Sequence, residues 1–268
     1  MNETLLIALL SGVCLSFLLA PLGCYLLWQR MAFLGDTLSH SAILGIALSV
    51  LFHFPLYHIG TIIYLIGFVL LFDYFTAKKS LSNDTVLSLL SYGGMSFGLV
   101  ILNLCGQDDT LNQILFGDLL SIDYQSLGVL AALALTVNIY LATFHKKLIL
   151  YILDSDLAQQ SGLNVKHVRV VFLLISATVI AVSIHWVGAL IAPALLIIPC
   201  TAVFTNTLSP KETIIKALLF SLLSFPIGIL GSFYLSVSIG PGIVCAFIIM
   251  LLTRWVSIKA FRLLPLRN

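Results

Sequence analysis

The sequence predicts an all-α membrane protein, a bundle of about eight or nine transmembrane helices forming one domain over residues 1–268. The first observation is composition: 60% of the 268 residues are hydrophobic, 9% are charged, and the mean hydropathy is +1.12. A soluble domain of this size needs more charge to solvate its surface. The second observation is that the apolar segments are long and rich in leucine and isoleucine, which excludes the short alternating strands of an outer-membrane barrel. No hydrophilic segment is long enough for a soluble domain, so any soluble energy source or receptor must be another chain.

Hydropathy predicts nine spans in order along the chain. They are 4–28, 33–53, 58–75, 85–105, 124–144, 168–186, 188–206, 213–236 and 240–256. The weakest is 188–206, because Pro193 and Pro199 favour a broken or re-entrant helix there. No basic segment precedes the first apolar run, whose length is that of a spanning helix, so we expect no cleaved signal peptide.

The third observation is the distribution of lysine and arginine. All 13 of these residues fall between alternate spans or in the tail. By the positive-inside rule, this places the N-terminus outside and the C-terminus inside. In chain order they are Arg30, then Lys78 and Lys79, then Lys146, Lys147, Lys166 and Arg169, then Lys211 and Lys216, and finally Arg254, Lys259, Arg262 and Arg267.

The predicted external side carries acidic and imidazole groups without any lysine or arginine. Such a surface attracts cations and repels anions. Alternatively, outer loops simply avoid basic residues for topological reasons, which accounts for the missing bases but less well for three histidines. We therefore favour cation attraction, and the candidate residues are His53, His58, Asp108, Asp109, Asp118 and His185, with Glu3 and Asp123 nearby in the sequence.

Three connections have irregular patterns. Residues 106–123 predict a short amphipathic helix on the external surface. Residues 232–242 predict an external turn in which Gly240-Pro241-Gly242 ends one span and starts another. The longest cytoplasmic loop, 145–167, contains a segment from Asp154 to Gly162 that is typical of a short capped helix. Such a helix is either a docking surface for another protein or a solvated connector, and we favour docking.

The segment Gly35-Asp36-Thr37-Leu38-Ser39-His40 lies just inside the second span. Asp36 and His40 are four residues apart, so on a helix they share one face. An acid and an imidazole within a membrane are costly unless they are compensated, and a metal cation would compensate them. The alternative is that Asp36 lies at the water interface and His40 is a hydrogen-bonded packing residue. Asp73 is the other acid within a span, and its position before Lys78 and Lys79 suggests a surface residue.

Several function classes lack their motifs. The chain has no GxxxxGK[ST] for nucleotide phosphates, no HExxH for a metalloprotease and no row of arginines for voltage sensing. No nucleophile–base set is visible, so we predict no catalytic residue. The five cysteines are isolated in the sequence and are expected to be free packing thiols (Cys14, Cys24, Cys105, Cys200 and Cys245). What remains is a passive permeation pathway lined by Asp36, His40 and some of the external residues.

Seven short segments together resemble the permease subunits of bacterial zinc/manganese ABC importers, and most of all those of zinc uptake. They occur in family order and cover nearly the whole chain. The segments are 21–23 (PLG), 27–31 (LWQRM), 35–41 (GDTLSHS), 115–120 (LFGDLL), 187–190 (VGAL), 195–199 (LLIIP) and 240–241 (GP).

The resemblance implies a multi-pass subunit of the bacterial cytoplasmic (inner) membrane that pairs with a second copy of itself. It further implies a cytoplasmic ABC ATPase dimer, which hydrolyses ATP in place of this chain, and a periplasmic or surface metal-binding protein. Asp36 and His40 match the family's GDxxSH motif, which is associated with the metal path. The 154–163 segment matches the coupling helix, and its residues assigned to ATPase contact are Asp154, Asp156, Leu157, Ala158, Gly162 and Leu163.

The expected cargo is a divalent transition metal, and no tightly bound cofactor or nucleic acid is expected. We favour Zn²⁺, with Mn²⁺ or Fe²⁺ as the alternative, because aspartate and histidine suit several of these ions. One departure stands out: similar permeases often carry an Asp-x-Pro-x-Gly-Pro pattern before the last span, but residues 235–241 contain no aspartate. A proton-coupled secondary carrier that uses Asp36 and His40, and a membrane enzyme, are the less favoured alternatives.

Overall fold

A computed structural model describes residues 2–54, 57–77, 82–106, 114–204 and 209–263 of the chain. Those residues form helices and no strand, which confirms the all-α prediction. Eight of the described helices are long and apolar enough to cross a membrane, and one apolar helix is shorter. The helices are α1 (Asn2–Trp28), α2 (Phe33–Leu51), α3 (Tyr57–Ala77), α4 (Asn83–Leu104), α5 (Tyr124–Leu153), α6 (Ser155–Gln160), α7 (Val165–Val187), α8 (Ala192–Val203), α9 (Pro210–Leu235) and α10 (Ile239–Leu263).

Side-chain caps mark several helix starts, as the sequence chemistry requires. Ser82 accepts a hydrogen bond from the Thr85 amide at 3.2 Å before α4, and Asp123 accepts one from the Ser126 amide at 2.9 Å before α5. Each cap satisfies an amide that the first helical turn leaves without a partner. Hydrogen bonds from Ser126 also hold the pKa of the Asp123 carboxyl below its ordinary value. Asp123 is therefore a capping group of α5.

Contacts between helices fix their directions. α5 runs parallel to α1, since Asn138 donates to the Phe17 carbonyl at 2.8 Å and the Tyr25 hydroxyl lies 2.6 Å from His145 Nδ1 further along both helices. α9 runs antiparallel to α1, because Ser221 donates to Ser16 at 3.0 Å and Phe225 and Ile229 lie against Gly12. The start of α9 therefore lies at the same end of the bundle as the end of α1.

The short helix α8 lies in a connection that crosses the bundle. α7 also starts beside the end of α1, where the rings of Phe172 and Tyr25 are 6.3 Å apart. Since α7 and α9 point the same way, residues 188–209 return from one end of the bundle to the other. The 12 residues of α8 cover roughly 18 Å, less than the ~30 Å of a hydrocarbon core. The span predicted at 188–206 is thus a short helix with non-helical described residues beside it. The chain reverses direction across this connection, as the nine predicted spans require.

The described part of the 106–123 connection agrees in part with the predicted amphipathic helix. Residues 114–116 are helical, and Leu119–Ser121 form a 3₁₀ turn. Ile114, Leu119 and Ile122 are buried, whereas Asp118 is exposed. The Ile114 and Leu115 carbonyls accept hydrogen bonds from the amides of Ala189 and Leu190, at 2.8 and 3.2 Å, so these polar groups are satisfied within the protein.

Two glycines allow residues 114–118 and residues 186–190 to pack this closely. Gly117 and Gly188 both have left-handed backbone angles, φ +67° and +91°. A Cβ at Gly117 would lie 2.4 Å from the Trp186 carbonyl oxygen, and one at Gly188 would lie 2.4 Å from the Leu115 carbonyl oxygen. Both positions therefore require glycine on grounds of backbone angle and of space.

Of the two roles predicted for Gly240-Pro241-Gly242, starting a span is confirmed and ending the previous one is wrong. α9 ends at Leu235 with Ser236 as its C-cap, at φ +54°, and α10 begins at Ile239, so the three residues lie in the first turn of α10. Proline fits there because amides of the first turn have no partner within the helix. A Cβ at Gly242 would lie 1.8 Å from Ser232 Oγ, so this glycine serves the close approach of α9 and α10.

Candidate metal site

Asp36 and His40 lie one turn apart on the same face of α2. Asp36 Oδ2 is 3.7 Å from His40 Nδ1, too far for a hydrogen bond, and the two side chains are 48% and 18% exposed. His40 Nδ1 is also 3.3 Å from the hydroxyl of Ser91 on α4. The imidazole is thus oriented by α4, while the carboxylate points to open space that a cation could share.

The pair lies on a line of α2 that the other described residues leave incompletely covered. Most residues of α2 are buried. Apart from Val50 and Leu51 in the last turn, the incompletely covered positions recur at three- or four-residue intervals, as one side of a helix requires. We call this line the open stripe of α2, and it consists of Phe33, Asp36, His40, Leu44 and Leu48.

Close backbone contacts hold α2 in place around this stripe. Along α4, which runs parallel to α2, a Cβ at Gly98 would lie 2.6 Å from the Leu44 amide nitrogen. On the opposite side, Gly35 lies against Pro193 and Leu196 of α8. A helix held by a backbone contact on one side and by the Leu196 side chain on the other has little freedom to shift, so the positions of the carboxylate and the imidazole are well defined.

The described residues do not by themselves provide a complete metal site. Among them, no group of three or more histidine, cysteine, aspartate or glutamate side chains could hold a metal ion. Structural zinc sites have four protein ligands. Asp36 and His40 therefore supply half of such a four-ligand set.

The external candidates are dispersed in the described structure. His53 is exposed at the end of α2, where its Nδ1 is 3.2 Å from the Leu51 carbonyl oxygen. Asp118 is exposed beside a 3₁₀ turn, and His185 is half-buried with its ring 5.6 Å from that of Trp186. Asp108, Asp109 and the side chain of His58 lie outside the described residues. None of the described three joins Asp36 and His40 in a cluster of three ligands.

A short capped helix is present in the long cytoplasmic loop, between α5 and α7. The Asp154 carboxylate caps α6 by accepting the amides of Asp156 and Leu157 at 2.9 and 3.0 Å. Its C-terminus is a Schellman motif, in which the Leu163 amide donates to the Ala158 carbonyl and Gly162 takes φ +81°. Ala158 is buried, and Leu157 is 52% exposed. The helix is therefore anchored on one side and offers an apolar side chain on the other.

One ionic contact at the inner end of the bundle was not expected from the sequence. Asp73, predicted to be a surface residue near Lys78 and Lys79, instead pairs with Arg169 across α3 and α7, Oδ1 to Nε at 3.2 Å. The guanidinium also donates to Thr76 Oγ1 at 2.7 Å. No local pattern in the sequence indicates this pairing, because topology alone accounts for the position of Arg169. Arg169 borders a cavity of about 420 Å³ next to the start of α6.

Comparisons with known proteins agree with this architecture. The model of the ABC 3 transport family matches residues 1–257. The high-affinity zinc uptake system membrane protein ZnuB of Buchnera aphidicola (subsp. Baizongia pistaciae) is 32% identical and covers 94% of this chain and 98% of its own. ZnuB of Haemophilus influenzae is 34% identical over 91% and 94%. The manganese transport system membrane protein MntC of Listeria monocytogenes is 24% identical over 88% and 84%.

Among solved structures, PsaBC from Streptococcus pneumoniae, determined in complex with Fab, has the same fold. The TM-score is 0.82 at 21% sequence identity, over 94% of this chain and 91% of that one. The helices and their order are therefore those of a fold already seen in a solved structure.

Proposed function

The chain belongs to the ABC 3 transport family as a membrane-spanning permease, and we propose that it imports Zn²⁺ across the bacterial inner membrane. The observation that carries the proposal is the Asp36–His40 pair on the open stripe of α2. A carboxylate there is costly against lipid but favourable against a cation. The two ZnuB relatives support zinc as the cargo, and the more distant MntC supports manganese as the alternative.

Because Asp36 and His40 supply only two ligands, two copies of the chain are needed to complete the site. If two chains face each other along the open stripe, two carboxylates and two imidazoles meet around one ion. Zn²⁺ accepts four ligands of this oxygen and nitrogen type. The ligands of one chain are 3.7 Å apart and not locked by a hydrogen bond to each other, so the site binds without enclosing the ion. A site of that kind can release its cargo, as transport requires.

The energy source is a separate ATPase that docks on α6. The argument is mechanical: α6 is short, capped at both ends and anchored through Ala158, so it moves as a unit. It is joined directly to α7, which packs against both α2 and α3. A displacement of α6 is therefore passed through α7 to the helix that carries Asp36 and His40. The residues of this coupling segment are Asp154, Asp156, Leu157, Ala158, Gly162 and Leu163.

A soluble metal-binding protein delivers the ion to the external face. The external residues named above then act as attractors, by long-range electrostatics, because they do not assemble into a ligand set in the described structure. We further propose that residues 1–268 form one permease domain, that no cofactor is tightly bound, and that this chain catalyses no reaction itself.

The test is metal uptake by Asp36→Ala and His40→Ala variants in cells limited for zinc. We expect each substitution to abolish most uptake while the protein is still made and inserted. Asp84→Ala is the matched control, because Asp84 is an exposed acid in the first turn of α4. Wild-type uptake by either site variant at normal expression would remove the assignment. Parallel uptake of Mn²⁺ by the unmodified transporter separates the two candidate cargoes.

A further inference from the structure

A groove runs between α5 and α7 along the surface of the helix bundle. α5 packs chiefly against α1, and α7 packs chiefly against α3 and α2, so the two helices touch only sparingly. The space between them is a cavity of about 340 Å³. Its walls are aliphatic apart from a few hydroxyls, and they include Leu133, Val137 and Tyr140 of α5 and Val171, Leu174 and Thr178 of α7.

An aromatic and cationic ladder extends this groove to the inner surface. The rings of Tyr140 and Phe144 are 4.8 Å apart, and Lys147 Nζ lies 5.3 Å from the centre of the Phe144 ring. Residues 140, 144 and 147 share one helix face, so the lysine lies directly below the apolar lining. On α7, His167 is exposed one turn before Val171 and lies on the same face as it.

The inner end of the groove is positively charged. Lys146 and Lys166 are also exposed in the last turns of α5 and the first turn of α7. Two of the acidic groups nearby are engaged elsewhere, since Asp73 pairs with Arg169 and the Asp154 carboxylate caps α6. Asp156 of α6 is an exposed acid at this end, where the three lysines outnumber it. The end of the groove therefore presents cations at the height where the headgroups of the inner leaflet lie.

We propose that this groove binds an anionic phospholipid, with an acyl chain between α5 and α7 and the phosphate at Lys147. The apolar walls lie in the membrane-spanning part, where an acyl chain fits them, and the ammonium of Lys147 is a point charge that suits a phosphate. A second copy of this chain is a poor occupant, because it would bring the same cations against each other at the inner end. The groove therefore distinguishes an anionic lipid from the other lipids of the membrane by its charge.

The position gives the lipid an influence on the coupling segment. α6 connects α5 to α7, and the lipid lies between those two helices, so its presence limits how far they approach each other. This consequence rests on the proposed function of α6, whereas lipid binding does not. The two are therefore tested by different measurements.

Binding is tested on the full-length chain, purified with its ATPase, by native mass spectrometry after exchange into mixed micelles. The probes are phosphatidylglycerol and phosphatidylcholine with the same acyl chains. We expect phosphatidylglycerol to be retained preferentially, and Lys147→Gln to lower its retention about fivefold, as the loss of one cation at the membrane surface predicts. Thr178→Trp, which fills the groove, should lower retention of both lipids.

Two matched controls accompany these variants. Lys216→Gln removes an exposed lysine from α9, and Ile139→Trp adds a bulky side chain to an exposed position of α5 outside the groove. Both should retain phosphatidylglycerol as the unmodified chain does. Equal retention of the two lipids, or unchanged retention in Lys147→Gln, would overturn the proposal. So would cross-linking of a Thr136→Cys variant to the same residue of a second copy, since the groove would then be a contact between chains.

Discussion

Replacing Gly98 by alanine tests whether α4 holds α2 at backbone distance. A Cβ at this position would lie 2.6 Å from Leu44 N, 2.8 Å from Ile43 C and 2.9 Å from Leu44 Cα. All three are backbone atoms, so no side-chain rotation can make room. Non-bonded carbon atoms prefer about 3.5–4.0 Å, and the two helices must therefore separate by roughly 1 Å. Overpacking of this kind costs about 1–3 kcal/mol.

Gly93→Ala is the matched control for this measurement. Gly93 is on the same helix, and a Cβ there meets nothing within 4 Å. Both variants gain the same helix propensity, about 0.5–1 kcal/mol, so the difference between them isolates the packing cost. At about 2–4 °C per kcal/mol, Gly98→Ala should melt roughly 2–12 °C below Gly93→Ala when unfolding in detergent is followed by fluorescence.

The same displacement should reduce metal uptake. Moving α2 by roughly 1 Å breaks the contact between His40 and Ser91, which is already 3.3 Å long. We expect uptake to fall in Gly98→Ala and to be unchanged in Gly93→Ala. If Gly98→Ala melts with Gly93→Ala and transports normally, α2 and α4 do not approach as described and the positioning argument fails.

Two further predictions concern the inner end of the bundle. Asp73→Asn leaves the partly buried guanidinium of Arg169 without its carboxylate, so the free energy of unfolding should fall by about 1–3 kcal/mol. In a double-mutant cycle, Asp73→Asn combined with Arg169→Gln should cost less than the sum of the two single changes. Strict additivity would show that the pair is not coupled. Gly162→Ala forces alanine into φ +81°, at a cost of about 1–2 kcal/mol, and should weaken co-purification of the ATPase. Gly128→Ala is the control, because a Cβ there meets open space, and it should not weaken co-purification. Equal recovery of the ATPase with both variants would contradict a docking role for α6.

The sequence predicted the elements that depend on local composition. The long spans follow from hydropathy, because each must cover the bilayer with its own residues, and α1, α4 and α5 begin or end within a few residues of their predicted limits. The shared face of Asp36 and His40 follows from helix geometry alone. The unusual character of 188–206 was visible in its two prolines. Its actual form, a 12-residue helix, depends on contacts with other segments.

The errors concern residues whose partners are distant in the sequence. The sequence predicts an amphipathic segment over 106–123 but not its partners, since the carbonyls of Ile114 and Leu115 accept from Ala189 and Leu190, more than seventy positions later. Asp73 was assigned to the lysines next to it, although its partner is Arg169. The open stripe of α2 could not be read from the sequence either, because Leu34 and Leu44 are equally apolar and only packing decides which is covered. Local patterns do not encode such pairings.

The short length of α8 has a consequence for how the chain enters the membrane during synthesis. Twelve residues are too few to partition into the bilayer as an independent span, so α8 has to be inserted together with α7 or α9. If it were left behind on the outer side, α9 and α10 would enter in the opposite orientation. Arg254, Lys259 and the rest of the basic tail would then face outward, against the preference that governs insertion. The charges at the end of α10 and in the tail therefore secure a crossing made by an earlier segment that could not secure it alone.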